Sequence, residues 1–232
     1  MTEWVLINGW AMPDHLWHSV VERLSPQGTV HILSPDRHAG TLAEAASSIL
    51  AQAPERANWL GWSLGGRLLM EAAVQAPERI ALAVTLAASP SFVATANAPG
   101  MSPDVFDQFI DAMEQQPLPT LRRFAGMVAQ SHPLGRTLLA MLRDYHLGLS
   151  SEELISLSRQ LQWLADDCCQ HWAEVRVPQR HYLGACDGLV PSQIAEVLNG
   201  AMAVVDVLPD QGHLLHWPDT AWLDLSGKSA HA

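Results

Sequence analysis

The sequence predicts an α/β domain: a mostly parallel sheet of about six strands flanked by helices, with one helical insertion. Three observations predict it. Six short apolar runs each end at, or within two residues of, a Gly, Pro or Ser, segments of helical period separate the early runs, and the stretch from about 102 to 167 shows helical pattern without a convincing strand.

The first run, Glu3–Ile7, reads as a buried strand and is followed by a helical segment over His15–Leu24. A second strand is expected at Thr29–Leu33, a helix at Leu42–Gln52, a third strand at Ala57–Gly61, a helix at Leu64–Gln75 and a fourth strand at Ile80–Ala87. Strand alternating with helix requires right-handed crossovers, so the strands run parallel with helices on both faces. After Leu86 the alternation stops, and it resumes with strands at Arg180–Gly184 and Ala203–Leu208. A helical insertion between two strands of one sheet most simply caps the crevice at their carboxyl ends, where open α/β sheets bind ligands. One domain over residues 1–232, with the insertion as its lid, is the expectation.

Hydrophobic residues make up 48% of the chain and charged residues 16%, which excludes a disordered protein. No apolar run approaches the roughly 20 residues that span a bilayer. The N-terminus carries no basic segment with a small-residue cleavage site, so a cytoplasmic protein without membrane attachment is expected. Cys168, Cys169 and Cys186 form neither a disulfide framework nor a metal-ligand spacing, and reduced thiols are expected. A net charge of −11 disfavours nucleic-acid binding. The charge is unevenly spread: from Pro117 to Arg143 the chain carries Arg122, Arg123, Arg136 and Arg143 and no Asp or Glu, a basic patch on an acidic protein.

Gly61-Trp62-Ser63-Leu64-Gly65 places a serine between a predicted strand and a predicted helix, in the G-x-S-x-G pattern. A serine on so sharp a turn occupies strained backbone with its hydroxyl held out at a helix N-terminus, and its neighbours must lack bulk. A hydroxyl is a weak nucleophile and needs a base, itself held by a third group. Asp187, after the strand ending at Gly184, fits the orienting carboxylate, and His213, after the strand ending at Leu208, fits the base. His216 is the rival base; Gly212 and the shorter tether favour His213. The oxyanion of a tetrahedral intermediate needs donors, expected from the backbone N–H of Leu64 and that of Trp10 in the early loop Asn8-Gly9-Trp10.

These residues resemble the α/β-hydrolase superfamily, and more closely the pimeloyl-[acyl-carrier protein] methyl ester esterase family of biotin biosynthesis. The likeness covers most of the chain. It is carried by Trp59-Leu60-Gly61-Trp62-Ser63-Leu64-Gly65-Gly66, continuing through Ala76-Pro77-Glu78-Arg79 to Ala88-Ser89-Pro90-Ser91-Phe92, and by Tyr182-Leu183-Gly184 through Asp187-Gly188-Leu189-Val190-Pro191. The resemblance implies an α/β-hydrolase fold and a serine esterase that takes its substrate from an acyl carrier protein, with no metal or organic cofactor. It also implies an acyl pocket lined by Trp10, Leu64, His213 and the lid segment Phe124, Ala125, Gly126, Met127 and Val128. Lid arginines would meet the acidic carrier: Arg123 and Arg136 match two of the family's set, and Arg122 and Arg143 extend the patch.

The chain departs from the family in three places. Asn8-Gly9 stands where His-Gly is common, the superfamily's first two antiparallel strands are missing before Glu3, and Ser226–Ala232 stands where relatives continue a longer helix. A general short-chain carboxylesterase or another small-acyl hydrolase of this fold is the rival enzyme, because fold alone does not choose a substrate. A ligand-binding receptor is the rival of another class, and a solvated helix face is the plain reading of the arginines. A monomer is expected.

Overall fold

The structure is a computed structural model and describes residues 2–198, 200 and 202–225. The expectation for Ser226–Ala232 lies outside the described residues. Strands β1 (Thr2–Ile7), β2 (Gly28–Leu33), β3 (Ala57–Trp62), β4 (Ile80–Leu86), β5 (Gln179–Gly184) and β6 (Ala203–Leu208) form one sheet in the order β2-β1-β3-β4-β5-β6. Every neighbouring pair is parallel. The inner strands β1, β3, β4 and β5 are almost continuously buried, while the edge strands β2 and β6 are mostly half-buried, as expected of a parallel sheet covered on both faces.

Between the early strands run α1 (His18–Leu24), α2 (Leu42–Gln52) and α3 (Leu64–Gln75). The predicted segment from His15 divides: Asp14–Trp17 is a tight 3-10 turn after Pro13, and the α-helix starts at His18. Helix α2 begins where its sequence dictates, because Thr41 Oγ1 accepts from the Glu44 N–H and the Glu44 carboxylate accepts from the Thr41 N–H. The chain leaves β1 for β2 on one side and continues to β3 on the other. The order therefore reverses at β1, and the crevice opens at the carboxyl ends of β1 and β3.

Helices α4 (Pro103–Gln115), α5 (Pro117–Val128), α6 (Gly135–Leu147), α7 (Ser151–Gln162) and α8 (Cys169–Glu174) lie between β4 and β5, and α9 (Ala195–Leu198) precedes β6. Two devices set the lid helices apart. Pro103 and Pro117 start α4 and α5, and a Ser150–Glu153 capping box starts α7.

Both roots of this insertion meet at one side chain. Arg67, 1% exposed in α3, donates to the carbonyls of Ser89 (3.3 Å) and Pro90 (3.0 Å) on the outgoing strand of chain. It also donates to the carbonyls of Trp163 (3.2 Å) and Asp166 (2.7 Å) and approaches Cys168 Sγ (3.1 Å) on the return. The Cys168 N–H closes the gate by donating to the Pro90 carbonyl at 2.8 Å. A guanidinium suits this place because its planar fork of five donors can serve several carbonyls at once. Burial lowers its pKa from the usual value, and the nearby thiols and acids Cys168, Asp166, Cys169 and Asp167 oppose that shift.

Candidate active site

Ser63 is the single residue between β3 and α3, and its backbone sits at φ 54°, ψ −117°. An L-residue in such a region costs about 1–3 kcal/mol and persists only where its surroundings impose it. The surroundings here are backbone. The Ser63 N–H donates to the Leu86 carbonyl at 2.8 Å, and a Cβ on Gly61 or Gly65 would lie 2.3 Å from the Gly65 oxygen or 2.2 Å from the Ile7 oxygen. Only glycines allow β1, β3 and α3 to converge this closely.

Asp187 and His213 come together on the loops after β5 and β6. His213 Nδ1 lies 2.8 Å from Asp187 Oδ2, and both side chains are buried, at 1% and 0% exposure. Asp187 Oδ1 accepts from the backbone N–H groups of Leu189 (2.7 Å) and Val190 (3.1 Å), which fixes the carboxylate plane. An ionised carboxylate only accepts, so the Nδ1 facing it carries the proton and Nε2 of the neutral ring keeps its lone pair. That Nε2 is buried and has no hydrogen-bond partner among the described residues, Ser63 Oγ included. The structure thus brings acid and imidazole together and leaves the hydroxyl and imidazole unjoined. Hydrogen bonds of this kind often tighten only when substrate binds.

The His213 loop is tied to the serine turn by other means. The indole of Trp62, the residue before Ser63, donates from Nε1 to the His213 carbonyl at 3.0 Å. The turn after α5 presses on the same loop, where a Cβ on Gly212 would lie 2.5 Å from the Gln130 carbonyl oxygen. His132 Nε2 donates to the Trp217 carbonyl at 2.7 Å.

His216 is separated from this constellation. It is fully buried, stacks on Trp17 at 4.0 Å and meets Trp62 edge-on at 5.0 Å, and neither ring nitrogen has a hydrogen-bond partner among the described residues. Burial, with smaller contributions from His213 and His132, pushes its pKa down to about 3. It is a neutral core residue.

The early loop lies against the serine: a Cβ on Gly9 would approach Ser63 Cβ and the Trp62 ring at 3.3 Å. Among the described residues the backbone N–H groups of Trp10 and Leu64 have no acceptor. The Trp10 ring is buried, packs edge-on against Phe124 (4.9 Å) and Phe109 (5.5 Å), and donates from Nε1 to the Leu157 carbonyl of α7 at 2.8 Å. Beside this loop a cavity of about 370 Å³ runs past Asn8, Gly9, Leu64 and Leu68 toward Tyr145 and Leu157. Ser63, Trp10 and His213 do not line it.

A helix cannot aim five consecutive residues at one pocket, and α5 does not. Phe124, Ala125 and Val128 are buried and Met127 is half-buried, whereas Gly126 is exposed and a Cβ there would meet nothing within 4 Å. The structure does not bring Gly126 into the site. Arg122, Arg123, Arg136 and Arg143 are all exposed on α5 and α6. Among the described residues Arg123 reaches only Thr120 Oγ1, at 3.2 Å. Arg143 has a partner just beyond the acid-free stretch, donating from Nε and Nη2 to Asp144 Oδ1 at 2.9 and 2.7 Å, so its charge is locally compensated.

Among the described residues no group of three or more His, Cys, Asp or Glu side chains could hold a metal ion. Among the described residues no helix is long and apolar enough to cross a membrane. The three cysteines are free thiols, and burial with the neighbouring Asp167 drives Cys169 up to about 12.

No protein-family model matches the chain. Curated relatives do. The pimeloyl-[acyl-carrier protein] methyl ester esterase of Pectobacterium carotovorum subsp. carotovorum (strain PC1) is 34% identical over 206 residues, 85% of this chain and 81% of the relative. Its namesake from Vibrio campbellii is 35% identical over 203 residues, 84% and 80% of the two chains. The chain belongs to the pimeloyl-[acyl-carrier protein] methyl ester esterase family. Solved structures agree on the fold of this esterase-family chain. A hydrolase from Oleispira antarctica superposes with a TM-score of 0.80 over 93% of this chain and 85% of its own, at 17% identity. An esterase from Exiguobacterium antarcticum gives 0.78 over 92% and 85%, at 20% identity. The fold is that of the α/β hydrolases.

Two features of this family member escaped the sequence reading. The Trp62–His213 tether left no signal, because any tryptophan fits the middle of G-x-S-x-G. Arg67 did leave one: a single charge among the apolar residues of Leu64-Gly65-Gly66-Arg67-Leu68-Leu69-Met70 announces a buried cation in need of acceptors.

Proposed function

We propose that this chain is a serine carboxylesterase that hydrolyses the methyl ester of a pimeloyl chain carried on acyl carrier protein, releasing methanol and the free ω-carboxylate. Ser63 is the nucleophile, His213 the base and Asp187 the group that orients it. The observation that carries the reading is the 2.8 Å contact of His213 Nδ1 with Asp187 Oδ2, which leaves Nε2 bare on a loop tethered to the serine turn.

Ser63 Oγ attacks the ester carbonyl as His213 Nε2 takes its proton, and the oxyanion of the tetrahedral intermediate is met by the N–H groups of Trp10 and Leu64. Collapse breaks the bond to the methoxy oxygen, which leaves as methanol with the proton from His213. Water then attacks the acyl-enzyme, giving its proton to His213, and a second collapse returns that proton to Ser63 and frees the acid. Asp187 stays ionised and stabilises each imidazolium. Backbone donors supply the electrostatic stabilisation, so no step calls for a metal.

The carrier-bound substrate is favoured over a small free ester by the relatives' shared name and by the exposed Arg122, Arg123 and Arg136, which suit an acidic partner. The test is direct. Purified protein incubated with pimeloyl-[acyl-carrier protein] methyl ester should lower the carrier's mass by one methylene and release methanol, and Ser63→Ala should do neither. The gene should also restore growth without biotin to a strain lacking this esterase. Turnover of free esters alone, with the carrier ester untouched, would return the chain to general carboxylesterases.

A further inference from the structure

We propose that His146, on lid helix α6, is a positioning residue for the oxyanion hole: its Nε2–H grips the carbonyl of Ala11 and holds the loop that presents the Trp10 N–H. The proposal rests on the reading of Trp10 and Leu64 as oxyanion donors.

Ala11, directly after Trp10, sits at φ 56°. For alanine this left-handed conformation costs roughly 1–2 kcal/mol and does not persist unaided. Relaxation to negative φ would swing the chain before Ala11 relative to the chain after it, and Trp10 would move with it. The restraint comes from far along the sequence. His146 Nε2 lies 2.9 Å from the Ala11 carbonyl oxygen, across 135 positions.

The chemistry of the ring is unambiguous at that contact. A carbonyl only accepts, so Nε2 must carry the proton, and the neutral ring then presents a bare Nδ1. That Nδ1 is buried without a hydrogen-bond partner among the described residues, and the residue is 3% exposed. Burial lowers the pKa of His146, with the bond to Ala11 opposing in part, which keeps the ring in the neutral form this bond requires. A surface-facing histidine would satisfy both nitrogens in water; this one is placed for a single bond.

A second lid helix supports the same loop. Leu157 of α7 accepts the Trp10 indole N–H at 2.8 Å, so consecutive residues of the loop are fastened to two lid helices. Asn8 is fastened locally, donating from Nδ2 to Asp14 Oδ1 at 2.6 Å on the exposed side. The lid thereby becomes part of the catalytic framework, and a lid lifted from the core would release the Trp10 N–H from its aim.

The test compares a p-nitrophenyl ester with its thiono analogue, whose thiocarbonyl sulfur accepts hydrogen bonds weakly. An enzyme with a formed oxyanion hole prefers the oxo ester, and the preference reports the hole itself. Rates are taken per active site, counted with a fluorophosphonate, so partial unfolding does not enter. Deleting one oxyanion donor outright costs about 100- to 1,000-fold in kcat, so displacing one in His146→Leu should cost about 10-fold or more on the oxo ester with KM little changed. The thiono ester should lose less, and the preference should shrink. His146→Gln, whose amide N–H can reach toward Ala11, should regain part of it. A preference that survives intact in His146→Leu, whether through equal losses on both esters or through none, overturns the proposal. A wild-type enzyme without any oxo preference overturns the oxyanion reading and the proposal together.

Discussion

The indole N–H of Trp62 donates to the carbonyl of His213 at 3.0 Å, so the residue that precedes the proposed nucleophile holds the loop that carries the proposed base. Trp62→Phe keeps most of the ring and removes the donor. A buried carbonyl left unsatisfied costs about 1–3 kcal/mol, and a loss in that range is expected in urea unfolding. On a free ester, kcat should fall while KM stays near wild type, since the substrate does not use this bond. An unchanged kcat would show that the base keeps its place without the tether.

Removing the proposed base or its proposed orienter should be far more damaging. His213→Ala and Asp187→Asn are each expected to lower kcat by roughly 10,000-fold, the second because an amide no longer enforces the Nδ1–H tautomer. His216→Ala should retain turnover while losing stability, because its ring fills space between Trp17 and Trp62. A severe loss of kcat in His216→Ala, with His213→Ala still active, would reverse the two roles.

Acid should unfold this protein over a definite window. His181 hydrogen-bonds to Thr85 Oγ1 at 2.7 Å and Gln179 Oε1 at 3.1 Å deep in β5, and burial depresses its pKa to about 4; His216 is depressed to about 3. Above pH 6.5 both rings are neutral in the folded and unfolded chains, and neither affects stability. As pH falls below that value the unfolded chain binds protons that the fold refuses. Each histidine then subtracts about 1.4 kcal/mol per pH unit, until its own folded pKa is passed. Urea midpoints at pH 7, 5 and 4 should drop steeply, and His216→Phe should flatten the slope.

The lid arginines should separate by their surroundings. Arg123→Glu with Arg136→Glu is expected to lower kcat/KM for the carrier-bound ester and spare a small free ester, because both side chains are exposed within the stretch of sequence that carries no Asp or Glu. Arg143→Glu should matter less, since Asp144 already offsets its charge. Salt should slow the wild type on the carrier ester alone, given a Debye length near 10 Å at 0.1 M. Equal losses on both esters would mean damage to the lid itself.

The elements nearest the chemistry were the most legible in the sequence. Helices α2 and α3 begin and end where pattern placed them, at Leu42–Gln52 and Leu64–Gln75, because a capping box starts one and the serine turn starts the other. The lid was legible only as a helical region. A single residue, Gln116, separates α4 from α5, so helical period runs on almost unbroken and the boundary falls to Pro117. Asp187 and His213 could be nominated because each follows a strand. The partners of Trp10 and Ala11 could not, since Leu157 and His146 lie 147 and 135 positions away and no local pattern points to them. Arg143 was misjudged at the edge of a window, its counter-charge being the next residue.

Arg67 gives the insertion an evolutionary character. Since the chain leaves the sheet at Ser89–Pro90 and returns at Trp163–Cys168 through the same guanidinium, the two ends form one junction on the core. Closing a long loop costs only about 0.6 kcal/mol for each doubling of its length, and here native contacts already hold the ends together. Whatever is spliced between Pro90 and Trp163 inherits its closure from α3. Lids can therefore be lengthened, shortened or exchanged between lineages without redesigning the sheet, and substrate preference can diverge while Ser63, His213 and Asp187 stay where they are.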